Sequence, residues 1–205
     1  MSDWTVFPDK PIAADGTVAR VFRGLTVTTF LDACRYVHQL PYGYNSDRDD
    51  PMTLFRENRG SCTTKHAVIA LLAAELDLAI AKNIGIYAMT EDIVAGTQTI
   101  LDKYDLPYVP MVHCFLAYKE YKVDLTAGNR NGKKRPIDTF LYTAPVAAAI
   151  SGKDEYLLYR RALTDVVLPR GELQGVAMKR LLKAREEGLA LLKVNIQLKG
   201  HSKGV

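Results

Sequence analysis

Apolar residues recur along this chain at two spacings, and the change from one to the other marks its elements. Phe30, Leu31, Cys34, Val37 and Leu40 fall on one helical face. Thr28 or Thr29 can cap that helix, and Pro41 ends it, because the residue before a proline disfavours the helical conformation. A polar loop rich in turn residues, YGYNSDRDDP, follows at 42–51. Residues 62–80 (CTTKHAVIALLAAELDLAI) contain no Gly or Pro and are apolar nearly all round, which predicts a buried central helix. Residues 83–89 (NIGIYAM) read as a strand and 91–104 as a modest helix ending before Pro107. In MVHCFLAYKEYKVDLT, two apolar, aromatic-rich runs flank Lys119-Glu120, which predicts a hairpin. A Gly-rich polar loop covers 127–136. An apolar stretch at Pro145–Ile150 and a mixed segment to Pro169 lead to a last helix over 172–193, carrying Leu173, Val176, Leu181, Leu182, Leu189 and Leu192. The first 25 residues are punctuated by Pro and Gly and predict an extended arm with one strand near Val18–Phe22. The pattern as a whole predicts an α+β fold, with the long helix packed on an antiparallel β-sheet.

Composition narrows the function classes. The 205 residues are 48% apolar and 24% charged, enough for a sizeable core. The net charge of +4 is mild, and part of it sits in Lys193, Lys199 and Lys203. The one basic run, RNGKKR at 130–135, reads as a solvated loop, with a groove for acidic substrates as the alternative; nucleic acid is not an expected partner. No apolar run reaches the roughly 18 residues of a membrane span, and the N-terminus lacks the basic start and apolar stretch of a signal peptide. Three cysteines without paired spacing predict reduced thiols and a cytoplasmic setting.

One cysteine stands apart. A thiol attacks only as thiolate, so a nucleophilic cysteine needs its pKa lowered from about 8.5. Cys62 opens the long helix, directly after Gly60-Ser61, where free N–H groups and the helix dipole favour negative charge. Its own N–H is placed to donate to an oxyanion, and the small residues before it leave room for a substrate carbonyl. A histidine on another element must act as base, and His113 starts the hairpin. With a two-residue turn, His113 pairs opposite Thr126, and Asp124 shares its face. Asp124 is then placed to orient the imidazole; an odd turn breaks that parity.

Three segments resemble the transglutaminase-like superfamily, with its papain-like core: RGSCTTKHAVIALLAAEL as nucleophile region, HCFLAYKEYKVDLT as the His strand, turn and Asp strand, and FLDACRYVHQLPYGYN as the preceding helix and loop. The resemblance spans roughly residues 28–128. It implies a thiol acyl-transfer enzyme, a hydrolase or transamidase, with catalytic Cys62, His113 and Asp124, a peptide- or amide-containing substrate, and no cofactor or metal. The chain as a whole reads as one such domain over 1–205: an arm (1–25), a catalytic core (26–150), a helical extension (151–193) and a flexible tail (194–205). The His-to-Asp gap of 11 residues is tighter than in many relatives. No upstream Trp or Gln offers a side-chain oxyanion donor, leaving Asn45 and Tyr44 by position, and the C-terminal 75 residues have no counterpart.

Other readings remain open. The Arg-Gly stretch before Cys62 is similar to that of the arylamine N-acetyltransferases. An inactive homologue serving as a binding module would keep the same fold. Cys34 and Cys114 read as small buried hydrophobes. His66, four residues after Cys62 on the same helix face, could join Cys62 and His113 around zinc, although no CxxC or HExxH supports a metal. The competing role for His66, or for Lys65, is packing near the helix start or lining a cleft. Tyr42, Tyr44, Tyr87 and Tyr108 read either as groove residues or as ordinary half-exposed aromatics.

Overall fold

The computed structural model describes residues 3–200, and over them the fold is mixed α+β, with a four-stranded antiparallel sheet in the order β3-β2-β1-β4. The strands are β1 (Ala81–Met89), β2 (Val109–Tyr118), β3 (Tyr121–Val123) and β4 (Tyr142–Pro145). The described helices are α1 (Thr17–Gly24), α2 (Phe30–Gln39), α3 (Thr53–Glu57), α4 (Cys62–Glu75), α5 (Thr97–Tyr104), α6 (Gly152–Ala162) and α7 (Met178–Gly200).

Local chemistry accounts for most boundaries. Thr29 caps α2 by accepting from the Asp32 N–H at 3.3 Å, and the helix stops ahead of Pro41. The central helix ends earlier than its apolar run, at Glu75 instead of residue 80. Asp77 takes a left-handed conformation (φ 53°), and the Leu78 N–H returns to the Ala73 carbonyl at 2.8 Å, a Schellman-type stop with Asp in the place glycine usually holds. The hairpin turn is the expected Lys119-Glu120, with Leu116 opposite Val123 and Tyr118 opposite Tyr121. The last helix starts at Met178 instead of 172, because Gly171 and Gly175 both hold positive φ in the turns before it. It then continues to Gly200, so residues 194–200 are helical where a flexible tail was expected; residues 201–205 of that tail lie outside the described residues.

The extended arm is the clearest correction. Val18–Phe22 lies inside helix α1, which buries Val18, Ala19 and Phe22 on one face. Its first turn has no cap of its own. The Glu75 carboxylate, from the end of α4, accepts from the Val18 N–H at 3.0 Å and the Ala19 N–H at 2.7 Å. Gly16 makes room, since a Cβ there would stand 2.0 Å from Glu75 Cδ. A carboxylate at a helix N-terminus satisfies orphan amides and meets the dipole. Replacing Glu75 with alanine is expected to lower the unfolding free energy by about 1–2 kcal/mol in urea titrations. A loss under about 0.5 kcal/mol would mean that water replaces the carboxylate without cost.

The described residues form two compact units. Those within Met1–Ile84, Cys114–Asn129 and Ala144–Gly152 make the first; those within Gly85–His113, Arg130–Thr143 and Lys153–Val205 make the second. In the first unit α4 is the central element, with Lys65–Ala70, Leu72 and Ala73 buried, as its all-round apolar composition predicts. Phe22 packs edge-to-face on Phe55 at 5.2 Å, and Phe7 on Phe30 at 5.9 Å. In the second unit α7 lies close on strand residues: a Cβ on Gly188 would meet Met89 Cε at 2.8 Å and Met111 Sδ at 3.4 Å. Tyr159 donates its hydroxyl to the Pro110 carbonyl at 2.9 Å. Two cations of this unit's basic loop are paired with carboxylates: Lys134 with Glu91 at 3.0 Å and Arg135 with Asp92 at 2.7 Å. Among the described residues no helix is long and apolar enough to cross a membrane.

Candidate functional site

Cys62 is the first helical residue of α4. Ser61 is the N-cap, and its N–H donates to Thr64 Oγ1 at 3.1 Å, one arm of a capping box. Thr64 Oγ1 in turn donates to Asn45 Oδ1 at 2.8 Å, while the Asn45 amide donates to the Arg59 carbonyl at 3.0 Å and to Glu57 at 3.3 Å. Asn45, a positional candidate for oxyanion donor, therefore ties the 42–51 loop to the helix start. Gly60 also differs from expectation. Its space is filled by its own chain: a Cβ there would meet Thr64 Oγ1 at 2.8 Å and Leu54 Cδ1 at 3.0 Å.

Gly60 also pairs with the loop. The Gly60 N–H donates to the Pro41 carbonyl at 3.1 Å, and the Gly43 N–H donates to the Gly60 carbonyl at 3.2 Å. This short parallel bridge brings Tyr42 to Cys62. Tyr42 Oη accepts the Cys62 backbone N–H at 3.5 Å, and its hydroxyl also interacts with the Cys62 side chain. Burial, followed by the neighbouring Cys62 and Tyr44, raises the Tyr42 pKa well above its usual value, so the hydroxyl stays a proton donor through neutral pH. Tyr44 packs edge-on against Tyr42 at 6.5 Å and is itself 39% exposed.

The three cysteines separate by environment. None of them forms a disulfide; Cys62 is half-buried, whereas Cys34 and Cys114 are buried. Burial pushes the Cys34 thiol pKa strongly upward, which suits the inert core role expected of it. Cys114 Sγ lies 3.9 Å from Thr63 Oγ1, beside the first turn of α4.

Asp124 lies just beyond β3, which is only three residues long, so the expected strand pairing of His113 with Thr126 does not form: the β2–β3 ladder stops at Leu116–Val123. The carboxylate instead closes a local turn. Oδ1 accepts from the Thr126 N–H at 2.8 Å and from Thr126 Oγ1 at 2.7 Å. Asp124 is 6% exposed. His113, in the second unit, immediately precedes Cys114 on β2; it is buried, with its ring edge-on to Tyr87 at 6.4 Å.

Two residues that follow Cys62 on α4 hold this region in place. Lys65 is fully buried, and its ammonium donates to the His38 carbonyl at 3.3 Å and to the Leu40 carbonyl. Asn129 Nδ2 donates to the same two carbonyls, at 3.0 Å to Leu40. These are orphan acceptors at the C-terminal end of α2. Desolvation lowers the Lys65 pKa to about 7 against the raising pull of Asp124. His66, also fully buried, contacts the Cys62 carbonyl through Nδ1 at 2.8 Å and accepts the Leu125 N–H at Nε2 at 2.9 Å. Both ring nitrogens are thus engaged within the protein, which leaves His66 no lone pair for zinc. Among the described residues no cluster of three or more His, Cys, Asp or Glu side chains could hold a metal ion.

Tyr42 was visible in the sequence only as one of several loop tyrosines. Its contact depends on the Gly43–Gly60 bridge, which leaves no periodic signal. The chain matches no family model, no curated protein and no solved structure.

Proposed function

We propose that the chain is a thiol acyl-transfer enzyme of the transglutaminase-like, papain-like kind, acting on a peptide-like amide. Cys62 is the nucleophile, His113 the base and Asp124 the group that orients the imidazole. The thiolate attacks the carbonyl carbon. The oxyanion draws on the Tyr42 hydroxyl and on the Cys62 N–H, which it takes over from Tyr42 Oη, and the protonated imidazole gives its proton to the leaving amine. Water or an amine then resolves the thioester, giving hydrolysis or transamidation.

The observation that carries this reading is the environment of Cys62: half-exposed at the start of a buried helix, with a protonated phenol beside its backbone nitrogen, in a chain whose other two thiols are buried.

Iodoacetamide alkylation followed by peptide mapping tests it. In the folded protein Cys62 is expected to react at least about tenfold faster than Cys34 or Cys114 at pH 7, as a lowered thiol pKa requires. Tyr42→Phe removes a donor to the thiolate and is expected to move the midpoint of the Cys62 pH–rate curve up by about half to one unit. Equal reactivity of all three thiols would leave the inactive binding module as the better reading. Acetylation of Cys62 by acetyl-coenzyme A, read by intact mass, would assign the arylamine N-acetyltransferase variant instead.

A further inference from the structure

We infer that His66 is a positioning residue of this site: held neutral with its proton on Nδ1, it fixes the backbone carrying Asp124 to the first turn of the nucleophile helix. The inference rests on the acyl-transfer reading of Cys62 and Asp124.

The tautomer follows from the partners. A backbone N–H only donates, so the Leu125 N–H, 2.9 Å from Nε2, needs a lone pair there. A carbonyl only accepts, so the Cys62 carbonyl, 2.8 Å from Nδ1, needs a proton there. One neutral imidazole supplies both, on opposite edges of a rigid ring. An imidazolium would set a second N–H against that of Leu125. The 3.4 Å approach of Nε2 to Asp124 Oδ1 is therefore a contact of a neutral ring with a carboxylate, not an ion pair.

A second imidazole completes the grip. His38 Nδ1 lies 2.9 Å from the Leu125 carbonyl and so donates to it, while its ring packs on Trp4 at 4.7 Å. Both backbone groups of Leu125 are held by histidines, one from α2 and one from α4. Leu125 directly follows Asp124, so any shift of this peptide moves the carboxylate. The spacing of Cys62 and His66 along α4 lets one residue reach back to the nucleophile's own carbonyl and outward to the Asp124 segment. No aliphatic or amide side chain spans both contacts. An Asn amide reaches the Nδ1 position and keeps the bond to the Cys62 carbonyl. A Gln amide reaches the Nε2 position and keeps an acceptor for Leu125.

Three measurements on the full chain test this. Long-range proton–nitrogen NMR of the wild type is expected to show a neutral His66 with a protonated Nδ1 and an unprotonated Nε2; the other tautomer or a charged ring at pH 7 overturns the inference without any variant. In His66→Asn the Leu125 amide is expected to exchange at least about tenfold faster than in the wild type or His66→Gln. The pH–rate midpoint of Cys62 alkylation is expected to rise by about one unit in His66→Asn and to stay near the wild-type value in His66→Gln. Wild-type Cys62 with a lowered midpoint that His66→Asn leaves unchanged overturns the role of His66 alone. Wild-type Cys62 that alkylates like Cys34 overturns the acyl-transfer reading and the role with it.

Discussion

Alanine at position 113 is expected to slow alkylation of Cys62 at pH 6 by about a hundredfold, while the rate at pH 10 stays within about twofold of the wild type. The reasoning is arithmetic on thiolate. An unassisted thiol with a pKa near 8.5 is about 0.3% ionised at pH 6, whereas one paired with an imidazolium, with a pKa near 6, is about half ionised. At pH 10 either form is almost wholly thiolate, so the difference closes. That convergence separates an electrostatic role from damage to the fold, which would change access to Cys62 at every pH. If Asp124 orients His113 as proposed, Asp124→Asn is expected to act in the same direction by a smaller factor. A pH 6 rate unchanged in His113→Ala would take His113 out of the mechanism.

Lys65 should dominate the dependence of stability on alkaline pH. Its folded-state pKa is lowered to about 7 by burial. The unfolded chain holds that proton up to about pH 10.4, so between these values the unfolded state binds more protons and stability rises with pH. Below about pH 7 the lysine is charged in both states, and the full cost of burying the charge is present. The expected gain is about 2 kcal/mol from pH 7 to pH 9, approaching a limit of about 1.4 kcal/mol per unit. Lys65→Met should flatten this rise, because Asn129 still serves the His38 and Leu40 carbonyls when the ammonium is gone. Urea denaturation of both proteins at pH 7, 8 and 9 measures the difference. Parallel curves would show that the lysine keeps an ordinary pKa through water or Asp124.

Elements whose signal is local were legible in the chain. Helix α2 carries its apolar face, its Thr29 cap and its Pro41 stop within a dozen residues. The buried character of α4 is written in its Ala- and Leu-rich, Gly- and Pro-free run. The turn at Lys119-Glu120 follows from the apolar runs on either side. Helix α1 was not legible, because what satisfies its first amides is Glu75, 56 residues from Ala19 in sequence.

For the site, the sequence by itself determined that Cys62 opens the central helix and that His66 shares its face, since both follow from helical periodicity and the placement of Ser61. It also placed a turn at Lys119-Glu120 before Asp124, whose even length the strand register then fixed. The tertiary structure alone decided that Tyr42 stands at the Cys62 nitrogen, that Asn45 joins the loop to Thr64, and that His38 and His66 hold Leu125 from two helices. Those arrangements are hydrogen bonds between buried or half-buried groups far apart in sequence. Burial makes each unmet donor or acceptor costly, so the folded chain must pair them, but the choice of partner depends on which segments meet and leaves no pattern along the sequence.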